Sequence, residues 1–286
     1  PPDINPLTGL KVADPTILNR RPVMVKICNY PRFGRPHAGL SFADLVFEYY
    51  IGEYASRFSA IYFSQDTPKA GPLRSGRLVD ADLAMQYGAV LVYGNADPRV
   101  DKVLVDTLGP LAVTFDDAPC PPICGKDTHS EAGVFVDTTA MNAYMQAEGI
   151  DNTRPTLGGM VFDARLPTGK PPAVQLGVMF GPQDRGEWRY DPASGSYLRW
   201  IEEIRAGDQM VMIPLVDRVT GKQLAFSNVV ILYATYIEHL PTLHDILITE
   251  NETGNRAVYF RDGVIQEGLW NVRTPGQPIQ LLNSYS

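Results

Sequence analysis

From about residue 173 onward, short runs of β-type residues follow one another with a turn signal after almost every run. This spacing limits the fold more than any other feature of the chain. Runs over residues 173–180, 186–190, 197–201, 209–215, 228–236, 245–249, 256–261 and 264–270 are rich in Val, Ile, Tyr, Phe and Trp. Asp191-Pro-Ala-Ser-Gly195, Asp217-Arg-Val-Thr-Gly221, Glu252-Thr-Gly-Asn255 and Arg261-Asp-Gly263 stand between them as hairpin signals. Strands at roughly 8–12-residue spacing predict a meander, a sandwich or a partial barrel.

The first half has a different grammar. Residues 23–29, 45–51 and 57–64 read as strands, and residues 75–87 place Leu78, Ala81, Asp82 and Met85 at helical spacing with Gly88 as a stop. A strand over 89–93 precedes a helix opened by Asp97-Pro98. A short strand over 111–115 and a helix over 137–149 capped by Asp137 or Thr138 follow. Neighbouring strands arrive without crossovers, so the sheet is expected to be mixed. Residues 151–172 are connector chemistry, with Leu157-Gly-Gly and Pro167-Thr-Gly-Lys-Pro-Pro172. The expected class is therefore α+β: a mixed-sheet, layered N-terminal domain over 1–165 and a β-rich C-terminal domain over 173–286.

A chain of 286 residues with 44% hydrophobic and 20% charged side chains is globular. Its net charge of −7 argues against nucleic acid, which needs a basic face. No apolar run approaches the roughly 18 residues of a spanning helix. The opening Pro1-Pro-Asp-Ile-Asn-Pro-Leu-Thr-Gly9 lacks an initiator Met and any signal peptide, and reads as a mature or trimmed start. Cys28, inside an apolar run, reads as a small buried hydrophobe. Cys120 and Cys124 are spaced for a small disulfide ring or stand as two free thiols. A metal would need two further ligands, and only His129 is near, so no metal and no cofactor are read from the sequence.

The main polar constellation is Gly71-Pro-Leu-Arg74-Ser75-Gly-Arg77, with Arg57 upstream and Asp44 and Glu48 before it. If Ser75 caps the following helix, Arg74 and Arg77 lie on adjacent turns beside the sheet, where a helix start already favours anions. Planar guanidinium forks suit carboxylate or phosphate. The ligand-binding set is accordingly Arg57, Arg74, Arg77, Asp44 and Glu48. The competing reading has Arg57 and Arg74 paired internally with Asp44 and Glu48.

Other chemistry is thinner. Ser75 lacks the Gly-x-Ser-x-Gly elbow, so a catalytic role would need His37 or His129 to approach in space. His239 and His244 flank Pro241 without a carboxylate cluster. Asp80 with Asp82, and Asp116 with Asp117, offer acidic pairs, although loop carboxylates are usually just solvated. Phosphate-binding glycine loops are missing. Trp188, Tyr190, Tyr197 and Trp200 form an aromatic hairpin suited to sugar stacking or to core packing.

The ordered combination Arg21-Pro-Val-Met-Val-Lys-Ile-Cys-Asn29, Arg35-Pro-His-Ala-Gly-Leu-Ser-Phe-Ala-Asp-Leu-Val-Phe-Glu48, Arg57-Phe and Gly71-Pro-Leu-Arg-Ser-Gly-Arg77 resembles the N-terminal domain of the YerB-like bacterial lipoproteins. Asn5-Pro-Leu-Thr-Gly9 resembles the entry motif of that family. Trp188-Arg-Tyr-Asp, Tyr197-Leu-Arg-Trp200, Asp217 with Thr220-Gly221, Asn228-Val-Val, and Arg261-Asp-Gly263 with Gly268-Leu-Trp270 resemble its C-terminal domain. Two departures stand out. Asp127-Thr-His-Ser-Glu131 replaces a Pro-His-Asn element, and the chain ends at Ser286, short of the usual final strand.

The resemblance implies an extracytoplasmic protein whose membrane contact is a lipid anchor lying outside this sequence. It carries no established activity. The expected function is binding of an anionic small molecule or a cell-wall glycan or peptide. A cell-envelope hydrolase using Ser75 with His129, and an assembly scaffold docking through the β-rich half, are the alternatives.

Overall fold

The computed structural model describes residues 2–125, 133–241, 243–249, 251 and 254–283, and every count here refers to those residues. Its first half is built on β1 (Val23–Cys28), β2 (Leu45–Tyr50), β3 (Ser56–Tyr62), β4 (Val90–Val92) and β5 (Ala112–Val113). They form one sheet in the order β2-β3-β1-β4-β5. The β2/β3 and β3/β1 pairs are antiparallel, while β1/β4 and β4/β5 are parallel, so the sheet is mixed as expected. All six residues of central β1 are buried, which its unbroken apolar run anticipates.

Alternation along the strands sorts their side chains onto two faces. Met24, Ile61 and Leu91 meet Val79 and Leu83 of α1 (Leu78–Gln86) and Val100 and Leu104 of α2 (Pro98–Leu108). Val25, Ala60 and Val92 meet Met141 and Met145 of α3 (Thr138–Ala147) on the other side. Asp97 and Asp137 cap α2 and α3, their carboxylates accepting from the N–H groups of Arg99 and Ala140. A minor pair, β6 (Ile123–Cys124) with β7 (Phe135–Val136), holds a Cys120–Cys124 disulfide.

The second half contributes β8 (Gln175–Gly181), β9 (Asp184–Asp191), β10 (Ser196–Arg205), β11 (Gln209–Pro214) and β12 (Ala225–Phe226), in the order β11-β10-β9-β8 with β12 on β10. A second sheet orders β13 (Asn228–Leu232), β16 (Asn255–Arg261), β17 (Val264–Asn271) and β18 (Gln280–Asn283) as β13-β16-β17-β18. A separate hairpin joins β14 (Thr235–Leu240) to β15 (Leu243–Leu247). The single strand expected over 228–236 is thus two. The chain leaves the sheet after Leu232, where the Trp270 indole donates to the Tyr233 carbonyl, and β15 goes on to pack against α1.

Residues 151–171 carry no helix or strand. The halves they connect nevertheless share their apolar interior. Ile248, Trp270 and Ile279 pack into the cluster around Met24 and Leu83, and Ile201, Leu215 and Leu224 into the one around Val25 and Ala60. Polar bonds close the rest of the seam. The Asp217 carboxylate accepts from the Gly39 and Ser41 N–H groups, and Glu202 accepts from Arg35 at 2.8 Å. A change in composition marks a connector well, but it does not reveal whether the elements on either side bury one another.

Candidate functional site

Three of the arginines singled out in the sequence do converge, on the sheet face that carries α1 and α2. Arg57 lies opposite Tyr49 in β2 and Cys28 in β1, and Lys26 lies opposite Ser59. The segment 71–77 runs over the end of β1, with the Arg74 N–H donating to the Lys26 carbonyl and the Cys28 N–H donating to that of Pro72. Gly76 lets the segment pass close to α2, because a Cβ there would meet Leu104 Cδ1 at 2.6 Å and Tyr93 Cδ2 at 3.2 Å. That close approach delivers Arg77 to the start of α1.

Lys26 and Asp80 are the deepest members of the group, both with side chains fully out of solvent and Nζ 3.1 Å from the carboxylate. Asp80 is saturated. It accepts from Lys26, from the Tyr49 hydroxyl, from Ser59 Oγ at 2.7 Å and from the Arg77 N–H at 2.7 Å. Nothing of it remains for the guanidinium groups. Arg57 donates one bond to the Ser75 carbonyl at 2.9 Å and Arg77 one to the Gly76 carbonyl at 3.0 Å, and the Nε of each is buried without a partner.

The energetics follow from that imbalance. Burial, with Arg77 and Arg74 adding repulsion, pushes Arg57 down to about 9. Burial also lowers Arg77, against the pull of Asp80. Lys26 falls to about 7 because burial and the nearby arginines outweigh Asp80. Among the described residues, the charges named as acting on Lys26, Arg57 and Arg77 include one another, Arg74, Asp80 and Asp97.

His244 reaches this cluster from β15. It is 1% exposed, stacks on Tyr236 at a centroid distance of 5.4 Å, and has no partner on either ring nitrogen. Burial first, then Arg77, Lys26 and Arg57, bring it down to about 4, so it is neutral at ordinary pH. The sequence reading did not place Lys26 or His244 in this cluster, and considered His244 only beside His239. A lysine in the middle of Val23-Met-Val-Lys-Ile-Cys28 is a visible signal. A histidine arriving from some 200 residues away leaves none.

The carboxylates expected to join the arginines do not. Glu48 is the cross-strand neighbour of Phe58, one residue out of phase with Tyr49 and Arg57, and therefore points to the opposite face. There it accepts two bonds from Arg199 Nη2, each 2.9 Å, and burial raises its carboxyl to about 7. Asp44 lies just ahead of β2. It accepts from the Phe63 and Ser64 N–H groups, from Ser64 Oγ and from Asn5 Nδ2. Internal pairing of Arg57 or Arg74 with Asp44 or Glu48 is absent among the contacts of those two carboxylates.

Ser75 does not cap α1. The helix begins at Leu78 with Arg77 as its cap residue, and Ser75 Oγ donates to Asn95 Oδ1. His37 packs edge-on against Phe58, beneath the face opposite Arg57. His129 lies outside the described residues. The aromatic hairpin is covered: Arg199 lies over the Trp188 ring at 3.9 Å, Arg189 over Trp200 at 4.0 Å, and Tyr190 packs on Tyr197. Gly186, opposite Ile201 and diagonal to Arg199, leaves room for that stack, since a Cβ there would lie 1.8 Å from Arg199 Nη1.

Comparison with known proteins places both halves. Residues 7–151 match the N-terminal domain, and residues 176–285 the C-terminal domain, described as "Protein of unknown function (DUF3048)". The chain is similar to a Bacillus subtilis (strain 168) protein named "Putative lipoprotein YerB", with 27% identity over 277 residues, covering 93% of this chain and 77% of that protein. The crystal structure of YerB from Bacillus subtilis superposes with a TM-score of 0.75 at 25% identity, covering 98% of this chain and 92% of the other. Among the described residues no helix is long and apolar enough to cross a membrane.

Proposed function

Because the chain belongs to the DUF3048 family, carrying both of its domains in order, we propose that it is an extracytoplasmic protein that binds an anionic ligand through Arg57, Arg74 and Arg77. One observation carries this reading. Arg57 and Arg77 are buried with guanidinium nitrogens to spare, while the adjacent carboxylate, Asp80, is fully committed. Buried positive charge without a matching anion is costly, and a bound carboxylate or phosphate relieves it. A cell-wall glycan or peptide bearing such a group is the ligand class. The name of the Bacillus relative and the Cys120–Cys124 disulfide support an oxidising location outside the cytoplasm.

Calorimetric titration with inorganic phosphate and with acetate tests the reading. Arg74→Ala combined with Arg77→Ala is expected to abolish binding with an unchanged circular dichroism spectrum. A wild-type protein that takes up neither anion, together with a double variant that simply unfolds, would return both arginines to a purely structural role.

A further inference from the structure

His244 is held where β15 meets the first half. β15 packs against α1, and Tyr236, on which the imidazole stacks, packs in turn on Tyr50 of β2 at a centroid distance of 5.1 Å. A Cβ on Gly52, in the turn between β2 and β3, would lie 3.8 Å from His244 Nδ1. That turn leads into Arg57 near the start of β3, and the helix that β15 touches begins with Arg77 as its cap residue. Arg77, Lys26 and Arg57 are accordingly the charges that act most strongly on the imidazole.

Charge and donors can be counted at this meeting point. Lys26 and Asp80 offset one another, and Asp97 holds Arg99 at 2.8 Å. Among the described residues the side-chain bonds of Arg57 and Arg77 go to carbonyl oxygens, so two positive charges have no carboxylate bonded to them. Arg57 Nε, Arg77 Nε and both ring nitrogens of His244 are buried without a partner. Lys26 and Asp80 are wholly covered, whereas Arg57 keeps 5% and Arg77 8% of its surface, so the cluster opens over the arginines. A neutral imidazole adds one N–H donor. The arrangement therefore offers three donors from three elements and two charges to an ion that enters from the arginine side.

We propose that the site takes a terminal phosphoryl group, the dianion of a phosphate monoester, held between Arg57 and Arg77 of the first half and His244 of the second. The proposal rests on the anion-binding reading and names the class of anion. A phosphate monoester carries close to two negative charges near neutral pH and presents three strong acceptor oxygens. One oxygen accepts from the His244 N–H, and the others accept charge-assisted bonds from the guanidinium groups. A carboxylate brings one charge and two oxygens, which leaves an arginine uncompensated. A phosphodiester also carries a single charge and fits no better. Because His244 arrives from the β-rich half, the bound ion joins the β14–β15 hairpin to the start of α1.

The test titrates the full chain by calorimetry, at about pH 7.5 where monoesters are dianionic, with inorganic phosphate, glycerol 3-phosphate, dimethyl phosphate and acetate. The two dianions are expected to bind about tenfold or more tighter than the two monoanions. His244→Phe, which keeps a flat ring against Tyr236, should weaken phosphate about tenfold, and His244→Gln, which restores an N–H, should recover part of that loss. Nitrogen resonances of the wild-type imidazoles give a readout that needs no variant: those of His244 should shift with phosphate, and those of His37, beneath the opposite face, should not. Binding of glycerol 3-phosphate, of vesicles containing phosphatidic acid, or of both supports the site and identifies the carrier. Acetate or dimethyl phosphate bound as tightly as phosphate overturns the assignment of a dianion. Phosphate binding that His244→Phe leaves intact, with no shift at the His244 nitrogens, removes the histidine and leaves the arginine site standing. A protein that takes up none of these anions overturns both readings.

Discussion

Arg199 of β10 reaches across the seam between the two halves and places Nη2 2.9 Å from both carboxylate oxygens of Glu48 in β2. Both side chains are almost wholly buried, at 2% and 9% exposure. The bond joins two parts of the chain that the linker composition would separate. Strand phase already keeps that carboxylate on the sheet face away from the cationic cluster.

Removing one member of this pair is expected to be far worse than removing both. Arg199→Ala should cost about 3–5 kcal/mol by stranding a buried carboxylate, whereas Arg199→Met with Glu48→Leu should recover most of that loss. Urea unfolding of the two single variants and the double variant measures the coupling. Strict additivity would show that the contact carries no stability of its own.

Arg57 trades stability for its charge. Burial and the two neighbouring arginines hold it down to about 9, so Arg57→Met, which keeps the length and removes the repulsion, is expected to raise the stability of the anion-free protein by about 1 kcal/mol. The same variant should lose the stabilisation that phosphate gives the wild type. Melting curves with and without phosphate check both halves of the expectation. A variant less stable than wild type in phosphate-free buffer contradicts it.

His37 makes the fold acid-sensitive. Burial, reinforced by Arg35, Arg199 and Arg218, lowers it from 6.5 to about 3. A base whose folded value is depressed is protonated more readily in the unfolded chain, so its contribution is complete above about pH 6.5 and is lost as pH falls toward 3. The slope is at most about 1.4 kcal/mol per pH unit. Subtracting the stability profile of His37→Phe from that of the wild type isolates it, and a flat difference would refute it.

The Cys120–Cys124 disulfide closes a small ring with a sequence separation of 4, so its loss should cost no more than about 2 kcal/mol by loop entropy. It sits at the β6–β7 pair, which meets the segment before Arg74 through backbone bonds at Ala70 and Leu73 and contributes no side chain to the contacts of Arg57 and Arg77 given above. Reduction is therefore expected to lower the melting temperature modestly and leave phosphate affinity unchanged. A loss of phosphate binding on reduction would tie the ring to the site.

Much of the scaffold was legible in residue order. Hairpin turns, the Asp97 and Asp137 caps, the unbroken apolar run of β1 and the gathering of arginines near the start of α1 all follow from local chemistry. The part misread at the site was phase: Glu48 and Arg57 looked like partners because they are close in sequence and opposite in charge. Strand alternation and hairpin register put them back to back. The cap at Ser75 was misplaced for a similar reason, as Arg77 and Asp80 provide the helix start through a bond across three residues.

What the sequence alone determined is the set of elements, because period, turn chemistry and capping depend on atoms within a few residues of each other. Tertiary structure decided which groups meet. Lys26 against Asp80, His244 beside the arginines and Arg199 on Glu48 all bring together residues distant in the chain. Those meetings are selected by burial and charge compensation over the whole molecule, and local spacing holds no record of them.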